Sequence, residues 1–245
     1  MYRIIAVAFA LTFCLSAVTW AASSGDALLK EIDRNLEPAS YESYRKLINI
    51  EPSGKRKEFT LFTVKKGRDK LLMLFLEPAS EKGRSTLRLG DNMWLYIPNV
   101  GKPVRITSLQ SVTGGVFNNA DIMRLDYSEE YSVTSEKEEG GTIVLNLKAR
   151  TKAVAYDKLV MWVDAARKLP TKIECRTTAG MLIKTLYFKN MTDFGGGITR
   201  PATIETDSPL HKGYRSIIMF SKLKARTVRD EVFTLSFLPK AGTLR

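Results

Sequence analysis

Lys70-Leu-Leu-Met-Leu-Phe-Leu-Glu77 and Asp91-Asn-Met-Trp-Leu-Tyr-Ile-Pro98 decide the fold. Both runs have strand length, and both are apolar on both parities. Successive side chains of a strand point to opposite faces of a sheet. A sheet with one wet face therefore carries a polar residue at every second position. Here Leu72, Leu74 and Leu76 share one face, and Leu71, Met73 and Phe75 share the other. Both faces must be covered, by helices, by a partner or by a hydrophobic ligand.

Working outward, the rhythm is almost entirely β. Tyr44–Ile50, Glu58–Val64, Thr86–Leu89 and Val104–Ser108 read as strands, separated by Gly54, Gly67, Gly83 and the Gly90-Asp91-Asn92 turn. Residues 109–125 break the series with Gly114-Gly115, Asn118-Asn119 and a short helical stretch from Ala120. Strands resume near Tyr131 and continue through Ile143–Lys148, Tyr156–Val163, Lys172–Thr177, Leu182–Phe188, Ala202–Thr206 and Tyr214–Lys224. Val232–Leu238 reads as a further strand or an extended tail. About a dozen strands in meander order predict a mainly β fold, a large curved antiparallel sheet that curls or closes. Before the first strand, Leu28, Leu29, Ile32 and Leu36 recur at helical spacing, with Asp26 in the first turn and Pro38 as the stop. That amphipathic helix must dock its stripe on something.

The first residues read as a secretory signal: Arg3, an apolar core from Ile4 to Val18, and a cleavage point near Ala21. Residues 22–245 then form a single domain in the periplasm. Cys175 is the one cysteine in that span, so no intrachain disulfide is expected. The formal charge of +12 falls by one when Arg3 is lost. The basic residues are scattered, as befits solvated strand faces and guarded edges. Such a balance favours anionic surfaces. The export signal and the lack of an aromatic-basic stacking surface argue against nucleic acid.

Reactive groups are scarce. His211, the only histidine, sits in a Pro-Leu-His-Lys-Gly turn. No His, Cys or carboxylate set has metal-ligand spacing. Gly195-Gly196-Gly197 lacks the lysine and the strand-to-helix setting of a phosphate loop. The reading is therefore a non-enzyme without a cofactor.

Three stretches carry a family likeness: LRLGDNMWLYIPNVGKPVRI, GGVFNNADIMRLDYSEEYSV, and YDKLVMWVDAARKLPTKIE with GMLIKTLYF behind it. Together they resemble the bacterial outer-membrane lipoprotein-sorting protein family, which is similar to the periplasmic lipoprotein carrier LolA. The resemblance implies a half-open antiparallel barrel around a few short helices, with a hydrophobic cavity for acyl chains. It implies a chaperone-like transport role, between an inner-membrane exporter of the RND or MMPL type and an outer-membrane acceptor. It also implies a strand arginine that holds a lid closed, for which Arg45, Arg88 and Arg105 are the candidates.

The residues agree with a lipid-binding reading. Burying a methylene is worth roughly 0.8 kcal/mol, so about ten methylenes supply roughly 8 kcal/mol before the costs of association. The expected cavity lining is Leu72, Leu74, Leu76, Trp94, Leu95, Ile97, Leu159, Met161 and Val163. The expected lid is the flap carrying Val112, Val116, Phe117, Ile122, Met123 and Leu125, together with the Leu28–Leu36 helix. Trp94 and Trp162 offer broad apolar area, and Met93, Met161 and Met181 adaptable packing. Two other readings share these residues: an envelope sensor that keeps its lipid and signals, and a structural module held to anionic lipid by its basic face.

Overall fold

The computed structural model describes residues 24–111, 113–123 and 126–245. The expected signal segment lies outside the described residues. The first described element is helix α1 (Ser24–Leu36). Its stripe of Leu28, Leu29, Ile32 and Leu36 is buried. The Glu37 N–H closes the last turn on the Asp33 carbonyl at 3.1 Å, one residue before Pro38 forbids continuation. Asp26 in the first turn accepts the Val133 N–H at 3.0 Å. Gly25 lies so close to Val133 that a β-carbon there would overlap that side chain.

Thirteen strands follow among the described residues. They are β1 (Ser40–Ile50), β2 (Arg56–Lys66), β3 (Lys70–Glu77), β4 (Ser85–Leu89), β5 (Asn92–Tyr96), β6 (Val104–Ile106), β7 (Tyr131–Glu139), β8 (Thr142–Ala149), β9 (Lys158–Asp164), β10 (Leu169–Arg176), β11 (Leu182–Asp193), β12 (Thr199–Asp207) and β13 (Arg215–Ala225). All belong to one antiparallel sheet in the order β6-β5-β4-β3-β2-β1-β13-β12-β11-β10-β9-β8-β7. Two hairpin meanders are thus joined where the first strand pairs with the last, from Tyr41 opposite Ala225 to Ile50 opposite Arg215. The curved sheet is not closed into a barrel, because β6 and β7 are left as its edges. The connection between those edges holds two short helices, α2 (Asn119–Met123) and α3 (Tyr127–Glu130).

Each face of the β3 region has its own core. Toward the inner, helix-bearing face, Leu71, Met73 and Phe75 pack with Leu61, Leu47 and the α1 stripe. Toward the outer face, Leu72 and Leu74 pack with Phe62, Val64 and Leu87 under the chain's C-terminal strap. The strap is two 3-10 segments, Asp230–Phe233 and Leu235–Leu244, which bury Val232, Phe233, Leu238, Ala241 and Leu244. This explains why β3 is greasy on both parities. It also corrects the expectation of a strand or extended tail at Val232–Leu238: the segment is coiled against the sheet and makes no ladder. Its backbone is tied down by the Ser85 hydroxyl, which donates to the Leu238 carbonyl at 3.4 Å, and by Arg226, which donates to the Leu244 carbonyl at 3.0 Å.

Candidate functional site

The segment joining the two sheet edges lies over the inner face and buries Val116, Phe117, Ile122 and Met123. Its local fold is set by a reciprocal cap. The Asn118 N–H donates to the Asp121 carboxylate at 2.9 Å, and the Asp121 N–H donates to the Asn118 side-chain oxygen at 3.0 Å. Two backbone bonds tie the start of α2 to the stretch after β6: Ala120 N–H to the Ser108 carbonyl and Asn119 N–H to the Gln110 carbonyl.

Polar side chains from five elements then grip this lid by its backbone. Arg45 of β1 donates to the Ile122 carbonyl at 3.0 Å. Arg88 of β4 donates to the Met123 carbonyl at 2.9 Å. Lys184 of β11 donates to the Val116 carbonyl at 2.6 Å and to the Asp121 carboxylate at 2.7 Å. Asn49 of β1 donates to the Thr113 carbonyl, and Ser216 of β13 accepts the Val116 N–H. From α1, the Asp33 carboxylate accepts the N–H groups of Tyr127 and Ser128 at 2.9 and 2.8 Å. Gly115 passes so close to Asn49 that a β-carbon there would overlap the amide. Buried backbone groups must find partners, and here strand side chains supply them in place of a helix or sheet ladder.

The cations converge on two carboxylates. Glu37 lies 2.8 Å from Lys65, 3.6 Å from Arg200 and 4.0 Å from Arg45. Asp126 lies 3.7 Å from Arg88 and 3.8 Å from Lys65. The guanidiniums of Arg45 and Arg200 both lie over the Phe220 ring. Burial alone would raise the Glu37 pKa, but Lys65, Arg200 and Arg45 hold it down at about 2. Asp33 moves the other way: burial lifts it to about 6 against the pull of its hydrogen bonds from Ser128 and Tyr127. Burial also raises Asp126, outweighing its neighbouring cations. The pairing is incomplete. Nη1 and Nη2 of Arg200, Oε1 of Glu37 and Oδ2 of Asp126 have no hydrogen-bond partner.

The expected cavity lining divides between two faces. Leu159, Met161 and Val163 are fully buried in the inner core. Leu95 shares a parity with Met93, also of the inner core, and is half-buried. Leu72, Leu74, Leu76 and Trp94 belong to the outer cluster beneath the strap. Ile97 is exposed beyond the end of β5. The nine residues therefore do not line one cavity; a doubly apolar strand has two parities, and Leu72, Leu74 and Leu76 take the outer one. Trp162 also leaves the interior, with the Lys172 ammonium 3.4 Å from its ring centroid, and Met181 is exposed. Of the expected lid, Val116, Phe117, Ile122 and Met123 are placed as above, while Val112 and Leu125 lie outside the described residues. Among the candidate lid arginines, Arg45 and Arg88 both reach it, whereas Arg105 is exposed and pairs with Asn92.

In this closed arrangement α1 and the lid pack on the inner face. One hollow, among Tyr127, Tyr131, Tyr156, Leu159, Ile173 and Cys175, is about 30 Å³. That is room for about two water molecules. Cys175 is buried there, and burial pushes its thiol far up, opposite to what a nucleophile needs. Among the described residues, no three His, Cys, Asp or Glu side chains are grouped to hold a metal ion. No helix of the described residues is long and apolar enough to cross a membrane.

A family model described as an uncharacterized protein family matches residues 67–240. No curated protein matches the sequence. Among solved structures, a LolA superfamily protein from Nitrosomonas europaea is 26% identical, with a TM-score of 0.77 over 86% of this chain and 97% of that one. A DUF1329 family protein from Desulfovibrio piger is 23% identical, with a TM-score of 0.76 over 87% and 97% of the two chains. An outer membrane lipoprotein-sorting protein domain from Vibrio parahaemolyticus is 21% identical, with a TM-score of 0.72 over the same shares. These last two likenesses concern the fold alone. With its open thirteen-stranded sheet wrapped on α1 and an edge-to-edge lid, the chain belongs to the family whose model matches residues 67–240 and has the LolA-like fold.

Proposed function

We propose that the protein is a non-catalytic periplasmic carrier of lipid or lipoprotein acyl chains, loaded from an inner-membrane exporter and unloaded at an outer-membrane acceptor. One observation carries this reading. The inner face carries a large apolar cluster, and the lid over it is fastened by separate polar contacts from several strands. The donors to the lid's carbonyls are strand side chains outside any ladder, so they can let go without unravelling the sheet. Polar contacts can be exchanged for water when the lid lifts, at a net cost of roughly 0.5–3 kcal/mol each.

Lifting the lid and α1 uncovers Leu61, Leu71, Met73, Leu159, Met161 and Val163. An acyl chain then takes the place of Leu29, Ile32, Phe117 and Ile122. One greasy surface replaces another, so the net free energy is small and hand-off stays reversible. The outer cluster takes no part, because the strap already covers it. The lipoprotein-sorting description of the Vibrio parahaemolyticus domain supports the same class of cargo.

The test is lipid extraction and mass spectrometry of protein purified from a periplasm, paired with transfer of a fluorescent acyl lipid from donor to acceptor vesicles. Acyl lipid should co-purify, and transfer should rise with protein concentration. Protein that is lipid-free and transfers no faster than buffer sinks the carrier reading. Stoichiometric lipid that is never released favours a sensor.

A further inference from the structure

Every buried charged residue among the described residues falls into one of two groups. The cations Arg45, Lys65, Arg88, Lys184 and Arg200 all lie on strands, β1, β2, β4, β11 and β12. The carboxylates Asp33, Glu37, Asp121 and Asp126 all lie on α1, directly after it, or on the lid. Each cation shares the inner parity of its strand. Arg45 is two residues from Leu47, Lys184 two from Leu186, and Lys65 four from Leu61, all members of the inner core. The sheet side of the interior is thus apolar and polybasic, and the cover is apolar and acidic.

Four of the cations form a nest. Arg45, Lys65 and Arg200 surround Glu37, and Lys65 and Arg88 share Asp126. Four positive charges face two carboxylates. The Arg200 side chain is fully buried, and neither of its terminal nitrogens meets an acceptor at hydrogen-bond distance. A guanidinium fork of this kind matches the paired oxygens of a phosphate or carboxylate.

Opening separates the two groups. When α1 and the lid move off the sheet, their carboxylates leave with them. Five cations then remain on a surface that a lipid tail has just made dry. Uncompensated charge in such a place is costly. A neutral amphiphile leaves that cost standing, whereas an anionic one removes it.

We infer that the cargo is an anionic amphiphile, whose phosphate or carboxylate takes the places of Glu37 and Asp126 among Arg45, Lys65, Arg88 and Arg200 while its tail lies on the inner face. This rests on the carrier reading and narrows it from any acyl chain to acids bearing one.

The experiment is calorimetric titration of the whole mature protein, at neutral pH and below micelle formation, with four ligands sharing one palmitoyl tail. They are palmitoyl lysophosphatidic acid, palmitate, palmitoyl lysophosphatidylcholine and monopalmitin. The two acids should bind at least about tenfold tighter than the zwitterion and the neutral glyceride. That gap should shrink as salt is added. The order of phosphate and carboxylate identifies which acid the nest prefers. Arg200→Gln and Lys65→Gln should close the gap while keeping monopalmitin binding. Equal binding of all four by the wild type overturns the inference and leaves the acyl carrier standing. Binding of none overturns both. A variant that loses monopalmitin as well marks its residue as structural, and the wild-type series then decides.

Discussion

The guanidinium of Arg45 donates to the carbonyl of Ile122 at 3.0 Å, joining the middle of β1 to the last turn of α2. The same side chain donates to the Tyr41 hydroxyl at 2.7 Å and to the Ser43 hydroxyl at 3.1 Å. Arg45 is therefore fixed on the sheet before it reaches the lid. Replacing it frees the lid carbonyl and strips Glu37 of one cation. Arg45→Gln should cost roughly 3 kcal/mol, the low end for a broken buried pair. Urea unfolding measures the loss, and amide exchange at Ala120–Met123 should accelerate more than exchange in β8 to β10. Uniform acceleration across the sheet would mean that Arg45 stabilises the fold and does not latch the lid.

Asp33 sets a pH dependence of known sign. Its pKa stands at about 6 in the folded protein against an ordinary 3.8. A raised carboxylate binds its proton more tightly in the folded state, so its contribution is present below pH 4 and lost as pH rises through 6. The full span is up to about 3 kcal/mol. Glu37 runs the opposite way, with a pKa near 2 against 4.5, and its stabilisation disappears only as pH falls below 4.5. Wild-type stability should decline between pH 4 and pH 7 in urea melts, and Asp33→Asn should flatten that slope. A variant with the wild-type slope assigns the titration to another group.

Gly115 of the lid and Asn49 of β1 approach each other closely. The Asn49 amide donates to the Thr113 carbonyl at 3.1 Å and accepts from Ser216 at 2.7 Å, leaving no room for a β-carbon on Gly115. Gly115→Ala should drive Asn49 out and cost roughly 1–3 kcal/mol through the groups left unpaired. Thermal unfolding reads the loss. A melting temperature equal to wild type would show that the loop shifts freely.

The two faces of the sheet predict different phenotypes for similar changes. Leu74→Ala removes buried area from the outer cluster and should cost roughly 2–5 kcal/mol. The fraction that folds should bind acyl lipid as the wild type does. Met161→Ala carves the inner face, at a similar cost in stability, and should also alter lipid affinity. Calorimetric binding alongside urea melts separates the effects. Lost binding in Leu74→Ala with retained binding in Met161→Ala would exchange the roles of the two faces.

The fold was legible because its signals are local. Glycine turns between short apolar runs mark the meanders, and the spacing of Leu28, Leu29, Ile32 and Leu36 marks α1. The sidedness of β3 was not, since Leu71 and Leu72 are chemically alike and only tertiary packing assigns each a face. The strap was misread for a related reason: an apolar tail carrying Pro239 has no period that distinguishes a coiled cover from a strand. The lid contacts left a fainter trace. Tyr41, Arg45, Leu47 and Asn49 share one parity, so a charge in step with buried apolar residues pointed inward. Lys65 and Lys184 follow the same rule in β2 and β11. Scattered lysines and arginines look like solvated strand faces until the phase of each is compared with its neighbours.

The pairing of β1 with β13 splits the protein into two contiguous halves. One meander runs from β1 to β6 and the other from β7 to β13, and the only peptide link between them is the lid. Their contact is nevertheless broad, a ten-residue seam plus a strap from the second half clasped to the outer side of the first. A protease cut within the lid would therefore leave two fragments with every strand intact and complementary edges to rejoin. Such a chain lends itself to split-protein reassembly, with the nick falling in the element that closes over the interior.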